Sequence, residues 1–316
     1  MRKTTVISIL FMMLCLCGCN RNRYVSFSGY AQGGLYTVKA NLKGVTMKRQ
    51  DIAQDIDSIL TRISFSLSGY NKNSLISKYN EGEKIETNDL FDEIFTLSIK
   101  YMEESGNAFD IYSAPLFDIW GFGFTDESMP SEESIQLALE ESQSKKKINF
   151  NAIAQGYTCD IVARYLHSIG VKDMLVDIGE IYCEGLNASG RGWSIGIDNP
   201  TDGNMTPGAD LRGVWNSQGN ACGIVTSGNY RKFYVKDGKK YSHTIDPRTG
   251  HPVTHDLLSA TIVAPTAAEA DAFATACMVL GFEESKALIL NHGEMEGYLI
   301  TADTTWTSPG FGLQEQ

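Results

Sequence analysis

The chain has 316 residues, of which 42% are hydrophobic, 10% aromatic and 21% charged. That composition excludes intrinsic disorder, collagen and coiled coil, and the length supports a core that needs no disulfide staples. The formal net charge of −11, with no long stretch past the N-terminus rich in Lys and Arg, argues against a nucleic-acid backbone as the main partner.

Arg2 and Lys3 precede an apolar run over residues 6–16. The run is too short to span a bilayer comfortably and predicts a signal peptide over residues 1–18. Leu16-Cys17-Gly18-Cys19 resembles a bacterial lipobox, which makes Cys19 the lipidated first residue of the mature chain. A plain secretory signal or an uncleaved anchor is the alternative. Several acyl chains would hold the protein stably at a membrane face of the cell envelope, facing the periplasm or the exterior. Residues 19–28 then form a short tether, and residues 29–316 form one compact body.

Loose alternation over residues 24–40 predicts a first strand or hairpin. Ile52, Ile56, Ile59 and Leu60 follow helical spacing. Asn88 is placed to cap a helix that turns Leu90, Phe91, Ile94 and Tyr101 inward. Residues 105–125 mix Gly, Pro and aromatics without a period and read as an irregular loop. Ser131 opens a short helix to about residue 141, and a second helix runs from about 153 to 170. Residues 174–178 and 193–197 read as strands. Asp237-Gly238 between residues 233–235 and 240–242 is a strong hairpin signal. A strand at 260–264 leads to Thr266-Ala-Ala-Glu269, a capping box for a helix that stops at Gly281. A helix over 284–290 and a strand over 298–301 complete the chain. Helices and strands do not alternate regularly, so the predicted class is α+β, with mixed or antiparallel sheets and packed helices. Cys159, Cys183, Cys222 and Cys277 are widely spaced and form no CxxC pair. They read as buried free thiols or, in an exported chain, as up to two disulfides.

Several segments could carry chemistry. Asp271 and Thr275 are one helical turn apart, so their oxygens share a face near a helix N-terminus. A carboxylate and a hydroxyl suit a hard cation such as Mg²⁺, although Asp is also common in a first turn without any ion. His243 precedes a tight turn at Asp246-Pro247-Arg248-Thr249-Gly250, where an imidazole can serve as a base or simply as structure. Thr226-Ser227-Gly228-Asn229-Tyr230 follows an apolar strand, and Phe109, Trp120 and Phe122 lie in an aromatic loop that runs on to Gly123. No GxGxxG or Walker loop is present, so neither nucleotide-binding fold is indicated.

Taken together and in order, these segments resemble the ApbE family of FAD:protein FMN transferases. The resemblance spans about residues 29–301. It rests on Tyr70 with Ser74 and Asn80; on Ala108-Phe109-Asp110 with Pro115 and Trp120; and on Ala152-Ile-Ala-Gln155-Gly156-Tyr157 with Asp160. It continues through Thr226-Ser227-Gly228-x-Tyr230, His243-Thr-Ile-Asp246-Pro-Arg-Thr-Gly250, and Ala270-Asp271 with Thr275.

The resemblance implies cleavage of FAD, transfer of FMN through a phosphoester to a Ser or Thr hydroxyl of an exported target, and release of AMP. Residues 29–316 would be the catalytic domain. Acceptors would be flavoprotein subunits of redox-driven ion pumps or other exported carriers with an Asp-x-x-(Ser/Thr)-Gly-Ala-type segment. The resemblance assigns Mg²⁺, with Mn²⁺ as an alternative, to Asp271, Thr275 and the Ala152 carbonyl. It assigns FAD to Gln32, Tyr70, Ala108, Phe109, Asp110, Asn149, Gln155 and Ile245, and proton transfer to His243. The sequence departs from the family pattern in several places. Gln32-Gly33-Gly34 replaces Met-Gly-Thr, Gln155 replaces a charged residue, Asn149 replaces Asp, and Asp177-Ile178-Gly179-Glu180 is one glycine short. An FAD pyrophosphatase and a non-catalytic flavin-binding lipoprotein are the competing readings.

Overall fold

A computed structural model describes residues 23–122, 129–201, 204, 206–230, 233–236 and 239–315. The signal segment, Cys19, Gly123 and the Asp237-Gly238 turn lie outside the described residues.

In chain order the strands are β1 (Tyr24–Ala31), β2 (Gly34–Asn41), β3 (Met174–Asp177), β4 (Ile181–Glu184), β5 (Ser194–Asp198), β6 (Leu211–Asn216), β7 (Cys222–Gly228) and β8 (Phe233–Lys236). They continue as β9 (Lys239–Ser242), β10 (Ile245–Asp246), β11 (His251–Pro252), β12 (Leu257–Ala264), β13 (Glu296–Thr301), β14 (Thr305–Thr307) and β15 (Gln314–Glu315). The helices are α1 (Arg49–Leu67), α2 (Leu75–Asn80), α3 (Asp89–Glu104), α4 (Ala114–Ile119), α5 (Glu132–Gln143), α6 (Ala154–Ser168), α7 (Ala267–Leu280) and α8 (Phe282–His292).

The main sheet has eight strands in the order β1-β2-β3-β4-β7-β12-β13-β14. Every pairing among the described strands is antiparallel, so the class is α+β. β5, β6 and β15 form a separate three-stranded sheet.

Local chemistry explains most of the boundaries. In α1, Ile52, Ile56, Leu60, Ile63 and Leu67 are buried at steps of three and four, one stripe of the helix. Asn88 Oδ1 accepts from the Phe91 N–H at 3.0 Å and Ser131 Oγ from the Ser134 N–H at 3.2 Å. Thr266 Oγ1 accepts from the Glu269 N–H at 3.2 Å, but the Glu269 carboxylate turns to His292, so the capping box is half made.

The structure corrects several expectations. The strand or hairpin expected over residues 24–40 is present as β1 and β2, so the tether drawn over residues 19–28 overlaps the sheet edge at Tyr24–Ser28. The expected loop over 105–125 contains α4, which starts with Pro115 in its first turn, where a missing N–H costs nothing. Thr226, Ser227 and Gly228 lie within β7, paired with β12, rather than after the strand. All four described cysteines are free and buried.

The site is positioned by α7. Every residue from Ala267 to Val279 is buried except Thr275, which is partly accessible. The helix packs on β7, β12 and α6. Two glycines allow this approach. A Cβ on Gly156 would stand 2.2 Å from the Ala267 carbonyl oxygen, and one on Gly223 would stand 2.3 Å from Ala267 Cα.

Candidate active site

The first turns of α6 and α7 cap each other. Asp160 Oδ1 and Oδ2 accept from the Ala267 and Ala268 N–H groups, each at 2.9 Å. In return, Asp271 Oδ2 accepts from the Gly156 N–H at 3.0 Å. Each carboxylate thus takes up N–H groups that a helix start leaves without intrahelical partners. Burial pushes the Asp271 carboxyl up to about 7; the Gly156 N–H opposes the shift and the Asp160 charge adds to it. Burial likewise pushes Asp160 up to about 7, against the pull of the Ala268 and Ala267 N–H groups.

Asp271 Oδ1 accepts no hydrogen bond among the described residues. Thr275 stands one turn along the same helix at the gap in its cover. The Ala152 carbonyl sits in the turn that leads into α6, four residues before Gly156. Carboxylate, hydroxyl and carbonyl make an all-oxygen donor set, which fits a hard divalent cation such as Mg²⁺.

Beside this crossing lies a cleft of about 1070 Å³, whose lining includes Tyr30, Gln32, Phe65, Tyr70, Asn151 and Gln155. It is bounded by the β1–β2 turn, the later turns of α1 and the start of α6. Tyr30 and Tyr70 are 73% and 70% exposed, so aromatic surface is presented at the rim. Gln32 forms the two-residue hairpin turn with Gly33, at φ of 50° and 84°. Both angles are positive, as a type I′ turn requires; glycine adopts this freely, whereas a glutamine does so at some cost. The Gln32 amide donates to Thr158 Oγ1, which in turn donates to the Ala154 carbonyl at 2.6 Å. A Cβ on Gly179 would lie 2.5 Å from Gln155 Nε2. Two departures from the family pattern, Gln155 and the shortened β3–β4 turn, are therefore in contact.

The remaining expected ligand residues are placed differently. Ala108 and Phe109 are 1% and 2% exposed and belong to the largest core cluster, so they can meet a ligand only through main chain. Asp110 Oδ1 accepts from the Tyr112 N–H at 2.8 Å, and burial raises its carboxyl. Asn149 Oδ1 accepts from the Asn151 N–H, and its own N–H donates to the Ile111 carbonyl at 2.7 Å. That bond sets the 108–112 turn beside the turn that carries Ala152. Ile245 is 2% exposed and packs with Leu116, Trp120, Ile135 and Ala138, which leaves no side-chain surface for FAD. His243 is half-buried after β9, with its ring edge-on to Phe122 at 6.4 Å. The expected turn is present there: the Gly250 N–H reaches the Asp246 carbonyl at 2.8 Å, and Trp120 Nε1 donates to the Gly250 carbonyl.

Sequence reasoning gave Asp160 no role. The available signal was the capping box at Thr266, which marks a helix start whose remaining N–H groups call for an acceptor. It also passed over Ser259, which lies near Asn229 of the Thr226–Tyr230 segment. Asn229 Oδ1, just after β7, and Ser259 Oγ, on β12 opposite Gly228, are buried and lack partners among the described residues.

Fold and site together define an antiparallel α+β protein with an aromatic-rimmed cleft next to a buried carboxylate at a helix crossing. The chain belongs to the ApbE family, whose match covers residues 33–299. It is 32% identical over 303 residues to an FAD:protein FMN transferase of Escherichia coli K12, covering 86% of this chain and 84% of that one. It is 29% identical over 318 residues to the FAD:protein FMN transferase of Haemophilus influenzae, covering 92% and 90%. The crystal structure of the flavinyl transferase ApbE of Pseudomonas stutzeri, apo form, superposes with a TM-score of 0.81 at 28% identity, covering 93% of this chain and 97% of that one. The flavin transferase ApbE of Vibrio cholerae gives 0.79 at 26% identity, covering 92% and 98%.

Proposed function

We infer that this chain transfers FMN from FAD to a hydroxyl of a protein acceptor. The observation that carries this reading is the adjacency of the cleft and the α6–α7 crossing. A planar ring can lie against Tyr70 and Tyr30, while Gln155 and Asn151 lead from the cleft to the turn beside Asp271. The acceptor oxygen attacks the phosphorus on the FMN side of the pyrophosphate. The bridging P–O bond breaks, AMP leaves with the bridging oxygen, and the hydroxyl proton passes to His243. Asp271 Oδ1, Thr275 and the Ala152 carbonyl would hold Mg²⁺, which neutralises pyrophosphate charge when bound. The rigid crossing fixes these donors, and the rim orients the ring.

The acceptor is a Ser or Thr in an Asp-x-x-(Ser/Thr)-Gly-Ala-type segment of an exported flavoprotein. Lipidation at Cys19 ties the enzyme to an envelope membrane. No described helix is long and apolar enough to cross one. The test incubates the protein with FAD, Mg²⁺ and a peptide carrying that segment. The expected products are AMP and a peptide heavier by one FMN less water, with both lost on chelation. FMN and AMP released without an adduct would replace this reading with hydrolysis.

A further inference from the structure

On the far side of α7, three helix ends converge. Glu104 is the last residue of α3, Glu269 lies in the first turn of α7, and His292 is the last residue of α8. One donor atom from each lies within 4.8 Å of the others. Glu269 is two residues from Asp271, which is about 200° around a helix, so the two carboxylates leave α7 on opposite sides.

The Glu269 side chain is only 9% exposed, and its carboxylate accepts no hydrogen bond among the described residues. A buried carboxylate held only by a 3.5 Å contact to His292, with no hydrogen bond, is incompletely compensated. Burial raises the Glu269 carboxyl; His292 and Lys100, which also pairs with Glu104 at 3.7 Å, favour its charge, and Glu104 and Glu294 oppose it. His292 Nδ1 is sealed off without a partner among the described residues, and the ring is held edge-on by Phe273 at 4.8 Å. Nε2 is therefore the nitrogen turned toward the carboxylates, 3.5 Å from Glu269 and 3.9 Å from Glu104.

A direct imidazole–carboxylate bond in this same molecule looks different. His167 Nε2 is 2.6 Å from Glu184 Oε2. The wider spacing at His292 matches donors around a shared ion. Four ligands at roughly 2.0–2.1 Å in a tetrahedron stand about 3.4 Å apart. One imidazole with two carboxylates favours a first-row transition ion over Mg²⁺, which prefers oxygen ligands and keeps its water.

We propose that Glu104, Glu269 and His292 bind one divalent transition ion of the Zn²⁺ type, with water completing its coordination. The ion joins α3, α7 and α8 and braces α7 from behind the face that carries Asp271 and Thr275. This site is separate from the Mg²⁺ set and does not depend on the flavin reading.

The test is Zn²⁺ titration of the purified, chelator-stripped full chain against a chromophoric chelator, with melting followed in parallel. Wild type and Asp271→Ala bind one tight Zn²⁺ and melt at a higher temperature with it. His292→Ala weakens that binding by about 100-fold or more and loses the melting shift. Glu104→Gln, at an exposed helix end where the fold tolerates change, weakens it by about tenfold or more. Equal Zn²⁺ affinity in wild type, His292→Ala and Glu104→Gln would overturn the proposal. So would loss of the ion in Asp271→Ala alone, or no tight Zn²⁺ in wild type.

Discussion

The α6–α7 crossing and the cleft rim are neighbours built on opposite principles. At the crossing, backbone touches backbone through Gly156 and Gly223, and two buried carboxylates fasten α6 and α7 together. At the rim, Tyr30, Phe65 and Tyr70 lie exposed on the ends of a hairpin and a helix. The difference suits the chemistry proposed for each part. Pyrophosphate cleavage needs donors fixed to a fraction of an ångström, whereas a flat ring can be held by surfaces that adjust. The crossing should therefore fail sharply when altered, and the rim only by degrees.

Gly156→Ala tests the sharp side most severely. Its Cβ would meet backbone at 2.2 Å, which no rotamer change relieves. The expected cost is about 3 kcal/mol or more, a fall in Tm of about 6 °C or more with loss of transfer. Thermal melts and FMN-transfer assays read both. Asp160→Ala comes next. It leaves the Ala267 and Ala268 N–H groups buried without acceptors and should cost about 2–3 kcal/mol in denaturant melts. Transfer should fall with it, because α7 loses its alignment to α6.

The third prediction concerns pH. Asp160 and Asp271 hold protons in the fold up to about 7, against an ordinary 3.8. The stability those protons provide is fully present below 3.8 and is lost as the pH rises through 7. In the presence of chelator, wild type should therefore lose stability relative to Asp271→Asn between pH 5 and pH 8. Mg²⁺ affinity should weaken as the pH falls below 7, because the proton and the ion compete for Asp271. A flat difference between the two proteins across this range would contradict the assignment. The mildest change is Tyr70→Ala. Tyr70 is 70% exposed, so the fold should not notice. KM for FAD should rise about 2- to 12-fold, the worth of one aromatic contact, with kcat little changed.

Much of this contrast could be read in the sequence, but unevenly. Caps at Asn88, Ser131 and Thr266 are local chemistry, and each predicted helix start falls where its side chain accepts the N–H. Short elements escaped. β4 is four residues long and α2 and α4 six each, too short to show a period. The cleft escaped because it joins residues 30–34 to residues 151–155, a closure that only the folded sheet creates. Asp271 and Thr275 were visible as an i, i+4 pair. The Gly156 N–H that half-occupies Asp271 lies 115 residues away, so sequence patterning alone could not supply it. Ile245 and Phe109 were named by motif match, and burial of their side chains in the core is a feature that only the folded chain shows.

The central claim is that Asp271 does two separable jobs: it accepts the Gly156 N–H, and it presents a charged oxygen to a cation. Asp271→Asn keeps an acceptor and removes the charge. Measured at pH 5 in chelator, its Tm should lie within about 2 °C of wild type, a stability change of under about 1 kcal/mol. FMN transfer from FAD with Mg²⁺ at pH 8 should fall by about 1000-fold or more. Transfer within tenfold of wild type would contradict the account.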